Sequence, residues 1–293
     1  MIRILSLFFF LSLLLSSCKK DPVIIQGNDA PPDYTIEQVT IENYVNKLYI
    51  SLLGRKATAQ EFSDGLALVK QNNFSKQSRE NLVALLQNKT EFADNEFKYA
   101  QASFLDENDT TDARFWIVLI DQQLSLAVDS DQIKQYIKEK NRLLPFITIA
   151  DDLRSGKIDY VDMHKILVNN FIYDQVNMGT ENFVVSMFQN YFSRYPSASE
   201  LTNSKQMIDY DPTATTSPVV FLQLGNSKND FINIFFSYRE FYEGMVRMQY
   251  TRFLFREPLS EEMTSLTSSF KNTRDYKALQ RYVLSSNEYA GIK

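Results

Sequence analysis

A short signature that joins two helices recurs three times in this 293-residue chain, and it constrains the fold more than any other feature. Its first copy, residues 48–62, reads as the end of an amphipathic helix, a tight turn and the capped start of a second helix. The same order recurs at residues 187–201 and 249–263. This recurrence predicts helical hairpins, with the rest of the chain anchoring them or filling the space between them.

Each copy places an arginine in its turn and a glutamate six residues later. The pairs are Arg55 and Glu61, Arg194 and Glu200, and Arg256 and Glu262. Thr58 and Ser197 each begin a Thr/Ser-x-x-Glu capping box, whereas Leu259 takes that place in the third copy. On one continuous helix the two charges would lie on different faces, but across a helix–turn–helix they can meet. We therefore predict a structural arginine–glutamate ion pair in each copy.

Each copy also closes on a glutamate followed by an aromatic residue. These closing pairs, residues 91–92, 240–241 and 288–289, lie 36, 46 and 32 residues after the arginine. A weaker closing helix at 166–173 lacks the glutamate, so whether a fourth, degenerate unit exists stays an open alternative. The predicted fold is all-α: an array of three, or with this copy four, related helical-hairpin units with little or no β-structure. The chain's eight glycines and eight prolines are too few for a turn-rich β fold.

The string Leu-Tyr-x-x-Leu-Leu-Gly-Arg-x-Ala/Pro-Thr-x-x-Glu, closing on Glu-Tyr, resembles helical modules of unknown function in secreted bacterial proteins. These include a planctomycete-type domain that accompanies cytochrome c modules, and modules distantly similar to phycobilisome linkers. The chain lacks a Cys-x-x-Cys-His haem motif, so the resemblance implies no electron transfer. Gly54 is matched by Ser193 and Phe255 in the other copies. A position that accepts Phe predicts no need for a left-handed backbone.

The first 17 residues predict a lipoprotein signal peptide. Arg3 precedes an uncharged apolar run over residues 4–15 that is too short to span a bilayer. The run ends in Leu-Ser-Ser-Cys, similar to a bacterial lipobox, and an ordinary cleaved signal is the alternative. The resemblance implies that Cys18, the chain's only cysteine, carries the acyl anchor. Residues 19–21, Lys-Lys-Asp, are similar to the surface-export tether of Bacteroidota lipoproteins. The predicted location is therefore the outer membrane, with lipid anchoring at Cys18 and surface exposure left open.

Behind the signal peptide the chain divides into five predicted segments. They are the acylated Cys18 with a flexible tether at 18–35, a first helical unit at 36–105, an intervening helical region at 106–180, a second unit at 181–246 and a third at 247–293. The tether is indicated by Gly27, Pro31 and Pro32, which break any regular pattern. The intervening region is where a degenerate fourth unit would lie.

Further local predictions concern the middle of the chain. Asp112 is predicted to cap a helix, because the acidic loop before it lacks the glycine and glutamate of a calcium loop. Asp129 is predicted to cap the next helix, and Pro145 to interrupt the helical pattern around it. Residues 158–175 are expected to form one amphipathic helix. Residues 218–224 are the best strand candidate.

No catalytic, cofactor or metal site is predicted. His164 is the only histidine, and it lies on a predicted helix without a recognisable nucleophile motif. One histidine and a lipid-bound cysteine leave no ligand set for a metal, and no glycine-rich phosphate loop is present. The adjacent carboxylates at 151–152 and 261–262 are interpreted as helix-start acids and solvated faces.

Two functions of different classes remain open. The first is a non-enzymatic accessory or scaffold lipoprotein that binds other envelope or secreted proteins. The second is a glycan-binding, ligand-binding or glycan-processing surface lipoprotein of a nutrient-uptake system. A pocket with exposed aromatic residues beside two convergent carboxylates would favour the second, and a convex bundle without a deep cleft the first. Nucleic acid is not an expected partner because the net charge is −5.

Overall fold

The computed structural model describes residues 36–106, 108–213 and 215–292. Within them the chain is an all-α protein, 74% helical, with one two-stranded sheet of two residues per strand, so the predicted fold class is confirmed at this level. The predicted signal peptide, the lipidation site at Cys18 and the tether lie outside the described residues.

The helices follow one another closely along the chain. In the first half they are α1 Gln38–Leu53, α2 Ala59–Lys70, α3 Lys76–Gln87, α4 Thr90–Phe104, α5 Thr110–Leu126, α6 Ser130–Arg154, α7 Tyr160–Val168 and α8 Phe171–Val176. In the second half they are α9 Thr180–Met187, a π-helical segment Phe188–Phe192, α10 Ala198–Ile208, the strands β1 Val219–Val220 and β2 Gln223–Leu224, α11 Lys228–Ser237, α12 Arg239–Leu254, α13 Ser260–Thr273, α14 Tyr276–Leu284 and α15 Asn287–Ala290.

The two ends of this body pack against each other. Helix α1 buries one stripe at helical spacing, and it contacts α2, α3, α4 and the C-terminal α15. Helix α14 packs on α3, where the buried Arg79 donates to the main-chain oxygens of Phe74 (2.7 Å) and Ser285 (2.9 Å). Tyr44 on α1 donates to the main-chain oxygen of Leu284 at 3.1 Å. The last helices therefore complete the core that α1 begins.

Helix α12 approaches the π-helical segment at a glycine. A Cβ atom on Gly244 would lie 1.7 Å from the main-chain oxygen of Tyr191, so no other residue fits there without moving the backbone. The segment delivers Phe188, Tyr191 and Phe192 to an aromatic core, in which Phe192 stacks on Phe235 with ring centroids 4.1 Å apart. Close backbone contact and aromatic packing together hold the centre of the second half.

The prediction that Pro145 interrupts the helical pattern is wrong. Helix α6 runs through Pro145 without a break over 25 residues. A proline inside a helix removes one main-chain donor and crowds the preceding turn, at a cost of about 3 kcal/mol. Beside it, Leu143, Phe146 and Ile149 are fully buried, and their packing offsets that cost.

The predicted single helix over 158–175 is two helices. Asn170, fully buried between α7 and α8, donates through Nδ2 to the main-chain oxygens of Ile166 (3.0 Å) and Leu167 (2.7 Å). Its Oδ1 accepts from the main-chain nitrogen of Tyr173 at 3.0 Å. One side chain thus ends the first helix and caps the second, which hydrophobic periodicity cannot reveal.

The two predicted aspartate caps have different outcomes. Asp109, not Asp112, is the N-cap of α5, and Asp112 instead completes the capping box by accepting from the main-chain nitrogen of Asp109 at 2.7 Å. Asp129 does cap α6, accepting from the main-chain nitrogens of the second and third residues that follow it. Ile137 on α6 is 46% exposed, so this part of the helix is partly open to solvent.

The strand candidate at 218–224 forms the small hairpin of β1 and β2. Phe221 and Leu222 turn the chain with φ values of 48° and 64°, a left-handed pair that suits a two-residue hairpin. Phe221 then stacks on Tyr238 with ring centroids 3.9 Å apart. The expectation of little β-structure is confirmed for the described residues.

Candidate functional site

The three turn arginines make the same bidentate contact in every copy. The Nη1 and Nη2 atoms donate to the two carboxylate oxygens of the glutamate six residues on, at 2.7 and 2.9 Å for Arg55 and Glu61, 2.8 and 2.7 Å for Arg194 and Glu200, and 2.9 and 2.9 Å for Arg256 and Glu262. Two parallel charge-assisted hydrogen bonds fix the guanidinium plane as well as its position. The structure thus brings all six sequence-predicted motif residues together in pairs.

A second glutamate joins each pair, and we call the three residues together an Arg–Glu–Glu cluster. The Nη2 atom of the arginine lies 2.8 Å from Glu91, 2.8 Å from Glu240 and 2.7 Å from Glu288 in the three clusters. These are the closing glutamates, each the second residue of its helix (α4, α12 and α15). The sequence marked them as unit ends but not as partners of the arginine. Their recurrence after each arginine was the signal that pointed to them.

The turn glutamate also caps the helix that follows the arginine. One of its carboxylate oxygens accepts from the main-chain nitrogen of Thr58 at 3.0 Å, of Ser197 at 2.7 Å and of Leu259 at 2.7 Å. In return, the hydroxyl oxygens of Thr58 and Ser197 accept from the main-chain nitrogens of the same glutamates, both at 3.3 Å, so both capping boxes are complete. Leucine has no side-chain oxygen, so the third cluster has only half of a capping box.

The residue before each arginine has a left-handed backbone, which corrects the interpretation of Gly54. Its φ is 68°, and φ is 57° at Ser193 and 55° at Phe255. The inference that an acceptable Phe excludes this conformation was wrong. The turn imposes the conformation, and only glycine adopts it without steric cost. Phe255, 84% exposed, meets this cost without packing its ring into the core.

The clusters hold fixed charges. The arginine side chains are 31 to 35% exposed, and the turn glutamates 18 to 22%. Hydrogen bonds from Arg55 lower the pKa values of Glu61 and Glu91, and those from Arg194 lower the pKa of Glu200 to about 2. A general acid or base needs a pKa near the working pH. These carboxylates stay ionised, so the clusters suit positioning of helices rather than proton transfer.

His164 is a core residue. Its side chain is fully enclosed, with Nδ1 3.2 Å from the hydroxyl of Tyr191 and Phe104 packed edge-on at a centroid distance of 5.5 Å. Burial lowers the pKa of His164 to about 3, which keeps the imidazole neutral. The ring therefore fills the junction between α4, α7 and the π-helical segment.

A buried polar network, absent from the sequence predictions, surrounds Glu96 on α4. Its side chain is 3% exposed and accepts from Arg252 at 3.0 Å, from the Tyr276 hydroxyl at 2.7 Å and from Gln280 at 3.3 Å. The network joins α4 to α12 and α14. The signal in the sequence was a glutamate at the apolar spacing of α4, four residues after the buried Phe92.

The adjacent carboxylates Asp151 and Asp152, near the C-terminal end of α6, do not converge on a shared site. Asp151 pairs with Arg154, whereas Asp152 accepts from Thr148 at 2.8 Å and Lys157 at 3.0 Å. Within the described residues, no three histidine, cysteine, aspartate or glutamate side chains are placed to hold a metal ion. None of the described helices is both long and apolar enough to cross a membrane.

No protein-family model matches this chain, and no curated protein or solved structure is significantly similar to it. The resemblance to bacterial helical modules therefore stays a prediction. Function has to be argued from the side chains and surfaces of the molecule.

Proposed function

We propose that the protein is a membrane-anchored lipoprotein, held through Cys18, that acts as a non-enzymatic accessory or scaffold protein for another envelope protein. The observation that carries this proposal is the exposed apolar face of helix α5. The Arg–Glu–Glu clusters supply the rigid body on which that face is presented.

The body itself is best described as three related helical-hairpin units. The support comes from individual hydrogen bonds. In all three clusters one arginine bridges the start of the helix after the turn and the start of the closing helix. In each, Nη1 also donates to the main-chain oxygen of the next residue, at 3.1, 3.2 and 2.9 Å. Three unrelated turns would have no reason to repeat this set of bonds.

The outer face of α5 exposes large apolar side chains. Phe115 is 59% exposed, Val118 65% and Leu126 69%, and their spacing of three and eight residues puts them on one side of the helix. The inner side packs on α6, and Trp116 contacts Phe171 at a centroid distance of 4.8 Å. Val128, in the turn after α5, is 96% exposed. Single exposed apolar residues are ordinary, but a group on one helix face is typical of a protein-contact surface.

The second predicted function covered glycan binding, ligand binding and glycan processing, and its glycan-processing form finds no support in the groove between α6, α7 and α11. That function called for exposed aromatic residues beside two convergent carboxylates. The groove is lined instead by lysine, arginine, asparagine, isoleucine, proline and serine side chains, without an aromatic ring or a carboxylate. A groove of this composition has no acid pair for glycoside hydrolysis.

Site-specific photocrosslinking tests the scaffold proposal. A photoreactive amino acid replaces Phe115 or Val118, and in a matched control Leu222, which is 97% exposed in the β1–β2 turn. In intact cells we expect one shared adduct from positions 115 and 118 and none from 222. Adducts of equal yield from all three positions, or none from α5, would contradict the proposal.

The anchor has its own test. Replacing Cys18 with Ala should move the protein from the membrane fraction to the soluble fraction, because no acyl chain could then be attached. Continued membrane attachment of the variant would overturn the lipoprotein assignment while leaving the α5 contact testable in the same strain.

A further inference from the structure

A basic groove of about 730 Å3 lies between α6, α7 and α11, and it is independent of the apolar face of α5. Its lining includes five cationic side chains, Lys134, Lys138, Arg142, Lys165 and Lys228, in a chain whose net charge is −5. A basic surface on an acidic protein concentrates anions locally. The charge of this groove is therefore opposite in sign to that of the chain.

Each wall of the groove presents cations or amides four residues apart, so that they follow one helix face. Helix α6 contributes Lys134 and Lys138, α7 and its C-cap contribute Lys165 and Asn169, and α11 contributes Asn229 and Asn233. The apolar part of the lining consists of isoleucine and proline side chains on the same helices. Donors thus run along the groove instead of meeting at one point, which suits an elongated ligand.

Two of the five cations are already neutralised inside the protein. Arg142 donates to Glu139 at 2.7 Å and to Asp174 at 2.6 Å, and Lys228 also pairs with Asp174. Lys134 has an exposed partner, Asp131, at 2.9 Å, a pairing worth little in water. The groove's positive charge available to a ligand is thus carried by the remaining lysines.

Lys138 and Lys165 are those remaining lysines, and within the described residues neither has a carboxylate at ion-pair distance. Lys165 donates instead to the amide oxygen of Asn233 at 3.1 Å. Burial lowers the pKa of Lys165, in accordance with a partly desolvated ammonium group. An anion in the groove would give each lysine the direct ion-pair partner that it lacks among the described residues.

The asparagines are arranged so that amide donors remain free. Asn169 donates to the amide oxygen of Asn229 at 2.8 Å, and Asn233 accepts from Lys165. These bonds use the oxygens of Asn229 and Asn233, and among the described residues their NH2 groups have no acceptor, which leaves them for a ligand. Such groups donate to hydroxyl and carboxylate oxygens alike, whereas the isoleucine and proline side chains of the lining suit the CH face of a sugar ring.

We propose that the groove binds an acidic oligosaccharide. The carboxylate or sulfate groups contact Lys138 and Lys165, the hydroxyls contact the amides of Asn229 and Asn233, and the ring faces lie on the isoleucines. Single-stranded nucleic acid is the less suitable polyanion, because binding it uses aromatic rings as stacking platforms and the lining has none.

Calorimetric titration of the full-length, detergent-solubilised protein tests this. The probes are a hexamer of galacturonate, a chondroitin sulfate hexasaccharide, maltohexaose as the neutral match, and inorganic phosphate. We expect at least one acidic hexasaccharide to bind, with an affinity that falls as NaCl rises. The Lys138→Gln/Lys165→Gln variant should lose at least about tenfold in affinity, since two charge-assisted bonds are removed.

The matched control is Lys70→Gln/Lys271→Gln, which removes the same charge from exposed sites on α2 and α13. It should bind as the unmodified protein does, and all proteins should melt at similar temperatures.

An equal loss of affinity in the control would overturn the proposal in favour of a net-charge effect. If maltohexaose bound as tightly as the acidic hexasaccharides, charge would have no part in recognition and the proposal would be overturned. Full competition by equimolar phosphate would point to a small-anion site, and binding only to phosphatidylglycerol vesicles, lost in the groove variant, to a lipid surface.

Discussion

The Arg–Glu–Glu clusters and the Glu96 network both pair arginine with glutamate, and they differ in burial. In the Arg–Glu–Glu clusters the arginine side chains are 31 to 35% exposed. In the Glu96 network the Arg252 side chain is 11% exposed and Glu96 only 3%. The clusters recur at three turns, whereas the network occurs once and joins distant helices. The same chemistry therefore serves as a local joint at the surface and as a cross-link in the core.

The ion pairs that are easiest to recognise in the sequence are not those that contribute most to the stability of the fold. An exposed ion pair contributes about 0–1 kcal/mol, whereas removing one partner of a buried pair costs about 3–5 kcal/mol because the other charge is left without compensation. The motif that repetition makes conspicuous is then the weaker of the two interactions. The Glu96–Arg252 pair is expected to contribute more, yet its only sign in the sequence is a glutamate at an apolar position of α4.

The largest expected effect is the loss of Arg252. Arg252→Ala should lower the free energy of unfolding by about 3–5 kcal/mol, because Glu96 would stay buried without its ion-pair partner. Chemical denaturation followed by circular dichroism measures this. The double variant Arg252→Ala/Glu96→Gln should recover part of the loss. If Arg252→Ala alone were as stable as the unmodified protein, the buried network would contribute no more to stability than the exposed clusters.

The second effect concerns pH and the buried His164. Its folded pKa is about 3 against an ordinary value of 6.5, so below pH 6.5 the unfolded chain binds a proton that the folded chain does not. Stability should fall by about 1.3 kcal/mol between pH 7.5 and 5.5, a window that lies above the ordinary pKa of the carboxylates.

The variant His164→Gln serves as the control for that pH effect, since His164 is the chain's only histidine. Its stability should be nearly independent of pH in this window. The clusters respond at lower pH: the pKa of Glu200 is lowered to about 2, so its contribution is complete above its ordinary pKa of 4.5 and is lost toward pH 2. A pH slope that survives in the variant would show that other groups titrate there.

A smaller effect is expected from opening one cluster. Arg194→Ala should lower the free energy of unfolding by about 1 kcal/mol, because its bonds to Glu200 and Glu240 are partly solvated. Thermal melting measures the loss, and circular dichroism below the transition should show nearly unchanged helicity, because the other two clusters stay intact. A loss as large as that of Arg252→Ala would place the clusters and the Glu96 network in one energetic class.

The smallest effect is a gain, in the incomplete third cluster. Leu259→Ser adds the missing N-cap oxygen at a residue that is 65% exposed, and should raise stability by about 0.5–1 kcal/mol. Thr58→Ala, which removes the equivalent oxygen from the first cluster, should lower stability by a similar amount. Melting temperatures that shift in the same direction for both variants would contradict the equivalence of the clusters.

How much the sequence could predict depends on how local each interaction is. The pair of Arg194 and Glu200 spans six residues and obeys capping and turn rules, so spacing alone indicated it. Glu96 meets Tyr276 across 180 residues, and no local rule relates them. The unbroken helix at Pro145 could not be predicted from local rules either, because tertiary packing there overrides the tendency of proline to end a helix.

The basic groove could be predicted only in part. Lys134 and Lys138 on α6 show the four-residue spacing of a helix stripe in the sequence. Their meeting with Lys165 and Asn233 depends on how α6, α7 and α11 pack, which periodicity does not specify. Sequence periodicity therefore indicates one wall of the groove, and only the fold shows that the walls face each other.

The central claim is that the three clusters are equivalent structural joints, and double-mutant cycles test it most directly. Alanine substitutions of the arginine and the closing glutamate, singly and together, give a coupling energy for Arg55 with Glu91, Arg194 with Glu240 and Arg256 with Glu288. We predict a favourable coupling of about 0.5–1 kcal/mol in all three cycles. Coupling near zero, or coupling in only one cluster, would contradict the claim.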